Sequence, residues 1–368
     1  MSALSPPSPY PQAKAEAVAG AAGAMVAPVR WPAVVPGSST GFGALREAGP
    51  TVRKAGPISM KRLELFRLAA PKDSGAHRYP GTVTDVLPPA PAPLPTTLAE
   101  ASEAGRTLIM GIINVTPDSF SDGGRWDTTD LAVAHGRQLR AQGADLLDVG
   151  GESTRPGAAR ITPATEQERI IPVVRALAAS GAVVSVDTVH AATAEAAVGA
   201  GAVIVNDVSG GLADPAMHRV VADTGVVYIC QHWRGDPGTM DRLTDYSALG
   251  GVVDGVETEL RERLDELDAA GAGLRQVVID PGLGFAKTHA QSWRLLAATE
   301  RLRVDLGLPV LIGSSRKRFL AAAVPGSAAA DPIARDAATA ATTALAALAG
   351  AWAVRVHEVP ANRDAVRT

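Results

Sequence analysis

The sequence contains very little cysteine, with Cys230 alone among 368 residues. A single cysteine excludes an internal disulfide and a cysteine-rich zinc site, and it is typical of proteins in a reducing cytoplasm. Long apolar runs are also missing, because no window approaches the ~20 unbroken apolar residues of a membrane helix. The N-terminus has no charged segment followed by a short apolar core, so we expect no secretory signal. The sequence predicts a cytoplasmic protein without a membrane partner.

The sequence has no excess of charge of either sign. Its 35 basic and 38 acidic residues give a formal net charge of −3, and charged residues make up 20% of the chain. Binding to nucleic acid or to an anionic membrane usually relies on a strongly basic surface. We therefore expect no nucleic-acid partner.

Proline is distributed unevenly along the chain. Of the 27 prolines, 16 precede residue 105, and the stretches PPSPYP and LPPAPAPLP lie in this part of the sequence. Proline at this density removes amide donors and stops helix propagation, so the segment cannot build a cooperative core. We predict a low-complexity leader over residues 1–104, rich in proline and alanine and mostly disordered. The folded domain is expected over residues 105–368.

After residue 105, short β-branched runs alternate with longer segments rich in alanine, leucine and arginine. The apolar runs lie at 108–115, 145–150, 183–187, 203–208, 226–231, 277–281, 309–313 and 353–358. Continuous apolar strands are typical of a parallel sheet that helices cover. Eight strand–helix units in this length predict an α/β fold, a (β/α)8 TIM barrel. A doubly wound open sheet is the alternative, but no Gly-x-Gly-x-x-Gly turn follows an early strand.

Unusual polar residues lie at the end of nearly every predicted strand. They are Asn114, Asp187, Asn206, Asp207, Gln231, His232, Asp280, Arg355 and His357, together with the segments 150–157 and 314–319. In a barrel, the carboxyl ends of the strands and the loops that follow them form the active site. Helix capping explains one such residue, but capping favours Ser, Thr, Asp and Asn over the cationic residues present here. The pattern therefore predicts a binding site at this end of the barrel.

Three of the cationic residues suit a phosphorylated ligand. Arg355 and His357 are two apart on one strand and share a face, where burial without an acidic neighbour is unfavourable. An anionic ligand resolves that conflict, and a salt bridge from Arg355 to Asp280 or Glu358 is the alternative. Arg155 lies on a loop between Gly and Pro residues, and guanidinium groups bind phosphate in a bidentate manner.

A second group of polar residues is opposite in character. Asp187, Asn206 and Asp280 place two carboxylates and an amide at the barrel mouth. A planar heterocycle with a guanidine-like edge supplies N–H donors for them, and Lys317 can donate to a ring carbonyl or nitrogen. The residues thus predict a pocket for a donor-rich heterocycle beside a diphosphate pocket, where the amide oxygen of Asn114 suits Mg²⁺.

The polar motifs occur in the order of one known family. They read MGIINVTPDSFSDGG (110–124), GADLLDVGGESTRPGA (143–158), SVDT (185–188), VNDVSGG (205–211), HWRG (232–235), DPGLGFAKT (280–288), GSSRKRF (313–319) and GAWAVRVHEV (350–359). Over about 250 residues, the sequence resembles the dihydropteroate synthases of the pterin-binding barrel family. Residues 1–104 have no counterpart in this resemblance, which makes residues 105–368 the catalytic domain.

The resemblance implies a transferase of folate biosynthesis. The family joins 6-hydroxymethyl-7,8-dihydropterin diphosphate to 4-aminobenzoate, giving 7,8-dihydropteroate and pyrophosphate, and sulfonamides block this step. The resemblance also implies Mg²⁺ as the cofactor, with Asn114 as its ligand, and a homodimer. Two mobile loops, at 115–128 and 151–162, are expected to close over the substrates.

The resemblance further assigns a role to individual residues. The pterin would be bound by Asp187, Asn206, Asp280, Lys317 and Arg355. The diphosphate would be bound by Asn114, Thr154, Arg155, Arg355 and His357. The aminobenzoate would be surrounded by Phe120, Pro156, Phe285, Lys317 and Arg318. The catalytic residues would be Asp118, Arg155 and Lys317.

Three positions depart from the family pattern: Gln231, where Met is more usual, Ser292, where Asn is common, and Glu358, where Asp is usual. Two alternative functions remain open. A methyltetrahydrofolate:corrinoid methyltransferase shares the barrel but has no need of cationic residues for a diphosphate. A non-catalytic pterin-binding paralogue would be expected to lose the loop carboxylates and the STRPG motif, and this sequence keeps both.

Overall fold

The computed structural model describes residues 105–116, 128–152, 160–236, 238–326 and 330–368. The leader predicted over residues 1–104 lies outside the described residues, and so do parts of the two loops at 115–128 and 151–162. Within the described ranges, no helix has both the length and the apolar character needed to cross a membrane.

In the described part of the chain, eight strands occupy the positions that the apolar runs predict. They are β1 (Leu108–Asn114), β2 (Leu146–Gly150), β3 (Val184–Asp187), β4 (Ile204–Asp207), β5 (Val227–Gln231), β6 (Val277–Asp280), β7 (Leu311–Ile312) and β8 (Ala353–Val356). Nearly every strand residue is buried. Burial on both faces explains why these runs are continuously apolar instead of alternating with polar residues.

The strands form one parallel sheet that closes on itself. Their order is β6-β5-β4-β3-β2-β1-β8-β7, and neighbouring strands pair in parallel. β6 meets the chain before β7 through a bridge between Ile279 and Val310, where the amide of Ile279 donates to the carbonyl of Pro309 at 2.9 Å. The prediction of a (β/α)8 barrel is confirmed, and the alternative of an open, doubly wound sheet is wrong.

Helices connect the strands and cover the outside of the barrel. They are α1 (Thr128–Gln142), α2 (Pro163–Ala179), α3 (Ala191–Gly199), α4 (Met217–Thr224), α5 (Val252–Ala269), α6 (His289–Ala297), α7 (Thr299–Leu306), α8 (Asp336–Leu348) and α9 (Pro360–Arg367). Short 3-10 helices lie at Met240–Arg242, Ser247–Leu249, Leu274–Gln276, Arg318–Ala323 and Ile333–Arg335. Side-chain capping sets two of the helix starts, because Thr162 caps α2 and Thr288 forms a capping box with Gln291 at the start of α6.

Successive residues along each strand face opposite sides of the sheet, and this alternation separates two apolar cores. Outward-facing residues such as Ile109, Val186 and Val205 pack against the helices. Inward-facing residues form a smaller core inside the barrel: Leu108, Met110, Leu146, Ile204, Val227, Ile229, Val278, Leu311, Trp352 and Ala353. Side chains two apart share a face of a strand, so the next inward positions lie above this inner core. On several strands those positions are polar, namely Asp148, Asn206, Gln231, Asp280 and Arg355.

Candidate active site

A layer of polar side chains lies above the inner core, at the carboxyl ends of the strands. The strand register places Asn114 beside Gly150, Gly150 beside Asp187, and Asp187 beside Asn206. Asp187, Asn206 and Asp280 are all buried. The inward-facing polar residues predicted from the strand ends therefore meet at one level of the barrel, because parallel strands in register end at the same edge of a sheet.

Arg355 joins the carboxylates of two other strands inside this polar layer. Its Nε donates to Oδ2 of Asp148 at 2.5 Å, and its Nη2 donates to Oδ2 of Asp187 at 2.6 Å. The expectation that Arg355 lacks an acidic neighbour is wrong, and so is the alternative in which its salt-bridge partner is Asp280 or Glu358. The reason is the closure of the barrel, which places β8 next to β1 and brings a long inward side chain within reach of β2 and β3.

Asp148 is not among the predicted site residues, yet it lies at the centre of the polar layer. It is fully buried on β2, and its Oδ2 accepts from Nδ2 of Asn206 at 2.9 Å as well as from Arg355. Its Oδ1 is buried without a hydrogen-bond partner among the described residues. The signal in the sequence is a charged residue inside the apolar run 145–150, because such a residue is almost never fully buried without a partner.

Burial controls the charges in the polar layer. It raises the pKa of Asp187 to about 7, although the guanidinium of Arg355 favours the ionised carboxylate. Burial also raises the pKa of Asp280, against the opposing influence of Lys317. Burial lowers the pKa of Arg355, but Asp148 and Asp187 outweigh it and raise that pKa overall. Carboxylates held in this way gain from a ligand that donates hydrogen bonds to them.

Asp280, Lys317 and Phe285 form a second cluster at the same end of the barrel. A Cβ added to Gly313 would lie 3.6 Å from Oδ2 of Asp280 and 3.7 Å from Nζ of Lys317, so both charged groups flank that glycine. Nζ of Lys317 lies 4.6 Å from the centre of the Phe285 ring and donates to the carbonyl of Leu283. Burial lowers the pKa of Lys317 to about 8. The structure thus brings together a carboxylate and an aromatic ring from the DPGLGFAKT motif and an ammonium group from the GSSRKRF motif.

His357 and Arg318 have partners of their own. Nδ1 of His357 lies 3.0 Å from Oγ of Ser315, in the segment that follows β7. Nη2 of Arg318 donates to the carboxylate of Asp241 at 3.1 Å, and more than half of each of these two side chains is exposed. The structure therefore keeps His357 at the barrel mouth, whereas it directs Arg318 toward the surface.

Asn114 is the residue predicted to ligate a metal ion. It ends β1 next to Gly150 and is half-buried. Within the ranges that the structure describes, no group of three or more His, Cys, Asp or Glu side chains could hold a metal ion. A single neutral amide fits a Mg²⁺ ion that takes its other ligands from water and a bound phosphate group.

Five of the predicted site residues, Asp118, Phe120, Thr154, Arg155 and Pro156, lie outside the described residues. Their roles stay predictions. Glu152 and Arg160 lie on either side of residues 153–159 in the sequence. The carboxylate of Glu152 accepts from Nη1 of Arg160 and from the amide of Ile161, each at 2.8 Å.

Asp207 follows Asn206 in the sequence but has a different environment. It accepts hydrogen bonds from the amides of Ser209 and Gly211 and from the hydroxyl of Tyr228, the last at 2.8 Å. Successive strand residues face opposite sides of the sheet, so Asp207 faces the helices while Asn206 faces the barrel interior. These contacts fix the turn after β4, which explains why the VNDVSGG motif has an aspartate at this position.

Two of the departures from the family pattern are buried residues that support loops. Oγ of Ser292 donates to the carbonyl of Thr288 at 3.0 Å and accepts from the amide of Gly284 at 3.2 Å. Nε2 of Gln231 donates to the carbonyl of Val208 at 3.2 Å. Both side chains therefore form hydrogen bonds with the backbone around the site.

The fold and the site together define a class of protein, a barrel enzyme that binds a donor-rich polar ligand at the carboxyl ends of its strands. A family model described as pterin binding enzyme matches residues 110–357. The chain therefore belongs to the pterin-binding enzyme family, and the resemblance found in the sequence is confirmed.

Within this family, the similar proteins are dihydropteroate synthases. The one from Mycobacterium leprae is 51% identical over 263 residues, which cover 70% of this chain and 91% of that protein. The structure of the Xanthomonas albilineans enzyme with 4-aminobenzoic acid has 43% identity and a TM-score of 0.65, covering 71% of this chain and 91% of that chain. A structure of that enzyme with 7,8-dihydropteroate has 40% identity and a TM-score of 0.62, covering 71% and 92%.

Proposed function

We propose that this protein condenses 6-hydroxymethyl-7,8-dihydropterin diphosphate with 4-aminobenzoate, giving 7,8-dihydropteroate and pyrophosphate in folate biosynthesis. The observation that carries the proposal is the buried set of acceptors formed by Asp187, Asn206 and Asp280 at the carboxyl ends of their strands. A pterin presents a guanidine-like edge of N–H donors, which can form hydrogen bonds with these acceptors.

Each polar group of the layer has a role in orienting the pterin. Asp280 accepts from the 2-amino group and N3, and Asp187 and Asn206 bind the remaining ring nitrogens. Lys317 donates to the ring carbonyl and to N5. The positions of Asp280 and Lys317 on either side of Gly313 support this assignment, because an acceptor and a donor then border the same space.

Arg355 contributes the planar shape of its guanidinium group as well as its positive charge. Its Nε and Nη2 are bonded to Asp148 and Asp187, which fixes the orientation of the guanidinium group. A fixed, planar guanidinium can stack on the face of a pterin, which an ammonium group does less well. Its positive charge also favours the diphosphate, whose other ligands in the proposal are Asn114, Thr154, Arg155 and His357.

The reaction exchanges one bond at the methylene carbon of the pterin. The C–O bond breaks, and its electron pair leaves with pyrophosphate. The lone pair of the arylamine nitrogen then forms the C–N bond, and the nitrogen releases a proton to solvent. Cationic side chains stabilise the leaving diphosphate, and the carboxylates of the polar layer stabilise the pterin cation. Asn114 would hold a Mg²⁺ ion, which would supply further neutralisation of the diphosphate charge.

The aminobenzoate is expected to bind beside Phe285. Of the two cations predicted for its carboxylate, Lys317 adjoins the Phe285 ring, whereas Arg318 pairs with Asp241. We therefore favour Lys317 for that contact. The closing loops complete the site in the proposal and exclude water that would otherwise capture the cation. In the proposal, the loop at 115–128 contributes the side chains of Asp118 and Phe120, and the loop at 151–162 contributes that of Pro156.

A cytoplasmic homodimer is the expected form of the protein. Cys230 is the single cysteine and is buried, and a chain without an internal disulfide is typical of a reducing compartment. Leu345 and Leu348 on α8 are 52% and 85% exposed, and Ile333 just before that helix is 62% exposed. Exposed apolar side chains in one region are typical of an interface. Sedimentation of the full chain tests the dimer.

Release of pyrophosphate tests the proposed activity. The full-length protein, pterin diphosphate and Mg²⁺ are incubated with and without 4-aminobenzoate, and pyrophosphate and pteroate are measured separately. Pteroate formed in step with pyrophosphate supports the synthase. Binding of the pterin diphosphate without release of pyrophosphate would instead support a non-catalytic pterin-binding protein and overturn the proposal.

A further inference from the structure

Residues 281–287, the β6 loop, carry Phe285 on an unusual backbone. Gly282, Gly284 and Ala286 have positive φ angles of 66°, 78° and 49°. A residue with a Cβ is disfavoured in this region, so neighbouring groups must hold Ala286 there. The conformation of the β6 loop therefore depends on its surroundings and not on local propensity.

Two side chains bind the backbone of the β6 loop next to Phe285. Nζ of Lys287 donates to the carbonyl of Phe285 at 2.8 Å. The hydroxyl of Tyr246, which comes from the segment before α5, donates to the carbonyl of Ala286 at 3.1 Å. The position of the Phe285 ring is thus controlled through the two peptide groups that follow its Cα.

Lys287 continues into a chain of buried polar groups. Its Nζ lies 2.9 Å from Nδ1 of His232, and Nε2 of His232 lies 2.6 Å from Oε2 of Glu259. The ionised carboxylate of Glu259 can only accept, so Nε2 of His232 carries the proton that it donates to Glu259, and Nδ1 of the neutral imidazole accepts from Lys287. Burial, reinforced by Lys287, lowers the pKa of His232 to about 3, so the imidazole is neutral.

This series of polar contacts returns to Tyr246, whose hydroxyl donates to the carbonyl of Ala286. Nη2 of Arg234 donates to Oε1 of Glu259 at 2.6 Å, and Cζ of Arg234 lies 3.7 Å from the centre of the Tyr246 ring. Lys287, His232, Glu259, Arg234 and Tyr246 therefore form a closed series of contacts, the Lys287 circuit, that starts and ends on the β6 loop.

Stability alone does not explain the amino group at the centre of this circuit, because burial lowers the pKa of Lys287 well below its usual value. Lys287 is 6% exposed, and its two acceptors, a carbonyl and a neutral imidazole, do not offset the loss of hydration as a carboxylate in direct contact would. Replacement of buried charged groups by apolar residues of similar volume is often neutral or stabilising. The directed hydrogen bond to Phe285 is what an apolar side chain could not supply.

We propose that Lys287 is a positioning residue, which acts through the carbonyl of Phe285 to set the wall of the aminobenzoate pocket and receives its own orientation from His232 and Glu259. The inference rests on the proposed function, because it concerns the second substrate of that reaction. Pterin recognition is less affected, since Lys317 is a stronger electrostatic partner of Asp280 than Lys287 is.

The test compares three variants of the full-length protein with the wild type. Lys287→Met keeps an unbranched side chain but removes the donor. His232→Leu removes the imidazole that contacts both Lys287 and Glu259. His232→Gln can still accept from Lys287 and donate to Glu259. We expect Lys287→Met and His232→Leu to raise the KM for 4-aminobenzoate by about tenfold or more, because small misplacements of a binding wall have effects of this size. His232→Gln should restore most of the loss.

Binding of pterin diphosphate, measured calorimetrically without 4-aminobenzoate, should change much less than the KM for 4-aminobenzoate in all three variants. Thr343→Val is the control for lost stability, because Oγ1 of Thr343 donates a buried hydrogen bond of 2.6 Å to Asn362, between α8 and α9. The control should lower the melting temperature without changing the KM.

Three results would overturn the positioning role: an unchanged KM in Lys287→Met, equal losses for both substrates, or a His232→Gln variant as impaired as His232→Leu. These results differ from failure of the proposed function, which the wild type alone reveals. A wild-type protein that forms no pteroate refutes the synthase, whereas an active wild type with a normal Lys287→Met variant refutes only the positioning role.

Discussion

The guanidinium of Arg355 on β8 binds the carboxylate of Asp148 on β2 inside the barrel, with Nε and Oδ2 2.5 Å apart. The same carboxylate oxygen accepts from the amide of Asn206 at 2.9 Å. Asp148 thus holds two residues that we assign to pterin binding while remaining fully buried itself. In a low-dielectric interior, such a carboxylate orients its partners more strongly than a water molecule could.

Asp148→Asn should weaken binding of the pterin diphosphate, because the amide leaves the charge of Arg355 less compensated. Arg355 keeps Asp187 as a partner, so we expect a loss near the lower end of the range for a broken buried charge pair, about 2 kcal/mol, or roughly thirtyfold in Kd. Calorimetric titration measures it. Asp145→Asn is the matched control, because Asp145 binds Arg106 at the opposite end of β2. Equal losses in both variants would refute the role of Asp148.

Asp280→Ala and Arg155→Ala should separate binding from turnover. Asp280→Ala removes the acceptor for the pterin edge, and we expect binding of the pterin diphosphate to be abolished. Arg155→Ala should mainly lower kcat, because its role is assigned to the leaving diphosphate. Asp280→Asn is a useful control, since its amide oxygen can still accept from the amide of Gly282, as the carboxylate does at 2.7 Å. The division of roles fails if both alanine variants lose binding equally.

The pH dependence of kcat/KM should be a narrow bell. Burial raises the pKa of Asp187 to about 7, so its carboxylate becomes an ionised acceptor as the pH rises through that value. Burial lowers the pKa of Lys317 to about 8, so its ammonium donor is lost as the pH rises further. Rates measured in constant ionic strength buffers test both limbs.

Lys317→Arg identifies the group behind the alkaline limb of that profile. A guanidinium stays protonated throughout the accessible range, so the alkaline limb should disappear even though the overall rate falls. Persistence of that limb in the variant would assign it to another group.

Gly282→Ala should destabilise the protein much more than Gly271→Ala. Both glycines have positive φ angles, 66° and 89°, so each substitution carries a conformational cost of about 1–2 kcal/mol. A Cβ at Gly271 meets nothing within 4 Å, whereas a Cβ at Gly282 would overlap the carbonyl oxygen of His232. We expect a further loss of roughly 2 kcal/mol or more for Gly282→Ala. Urea unfolding followed by circular dichroism measures both, and equal midpoints would contradict the steric argument.

Much of the fold could be predicted from the sequence, because a buried parallel strand is marked by its composition. Each of the eight apolar runs contains a strand, including the short β7 at Leu311–Ile312. The ends of the strands were also visible, since residues such as Asp187 and Asp280 interrupt apolar runs at the predicted position. Closure of the sheet between β6 and β7 depends on Ile279 and Val310, which nothing in their own sequence identifies as partners.

Several residues of the polar layer could be predicted from the sequence, but their pairings could not. The sequence predicted an anionic ligand as the counter-charge of Arg355, with a salt bridge to Asp280 or Glu358 as the alternative. The partners in the structure are Asp148 and Asp187, and the first of these was hidden inside an apolar run. Pairing across a barrel depends on strand order and register, which local patterns do not contain.

The sequence by itself determined which residues are inward-facing, polar and at the carboxyl ends of the strands, because the two-residue period of a strand and the apolar runs are local properties. It also determined the family, through motifs kept in order. Only the tertiary structure decided how those residues combine. Barrel closure joins Arg355 to Asp148, and packing of the β6 loop against the chain after β5 joins Lys287 to His232. Such contacts link distant segments, and their geometry exists only once the whole barrel has closed.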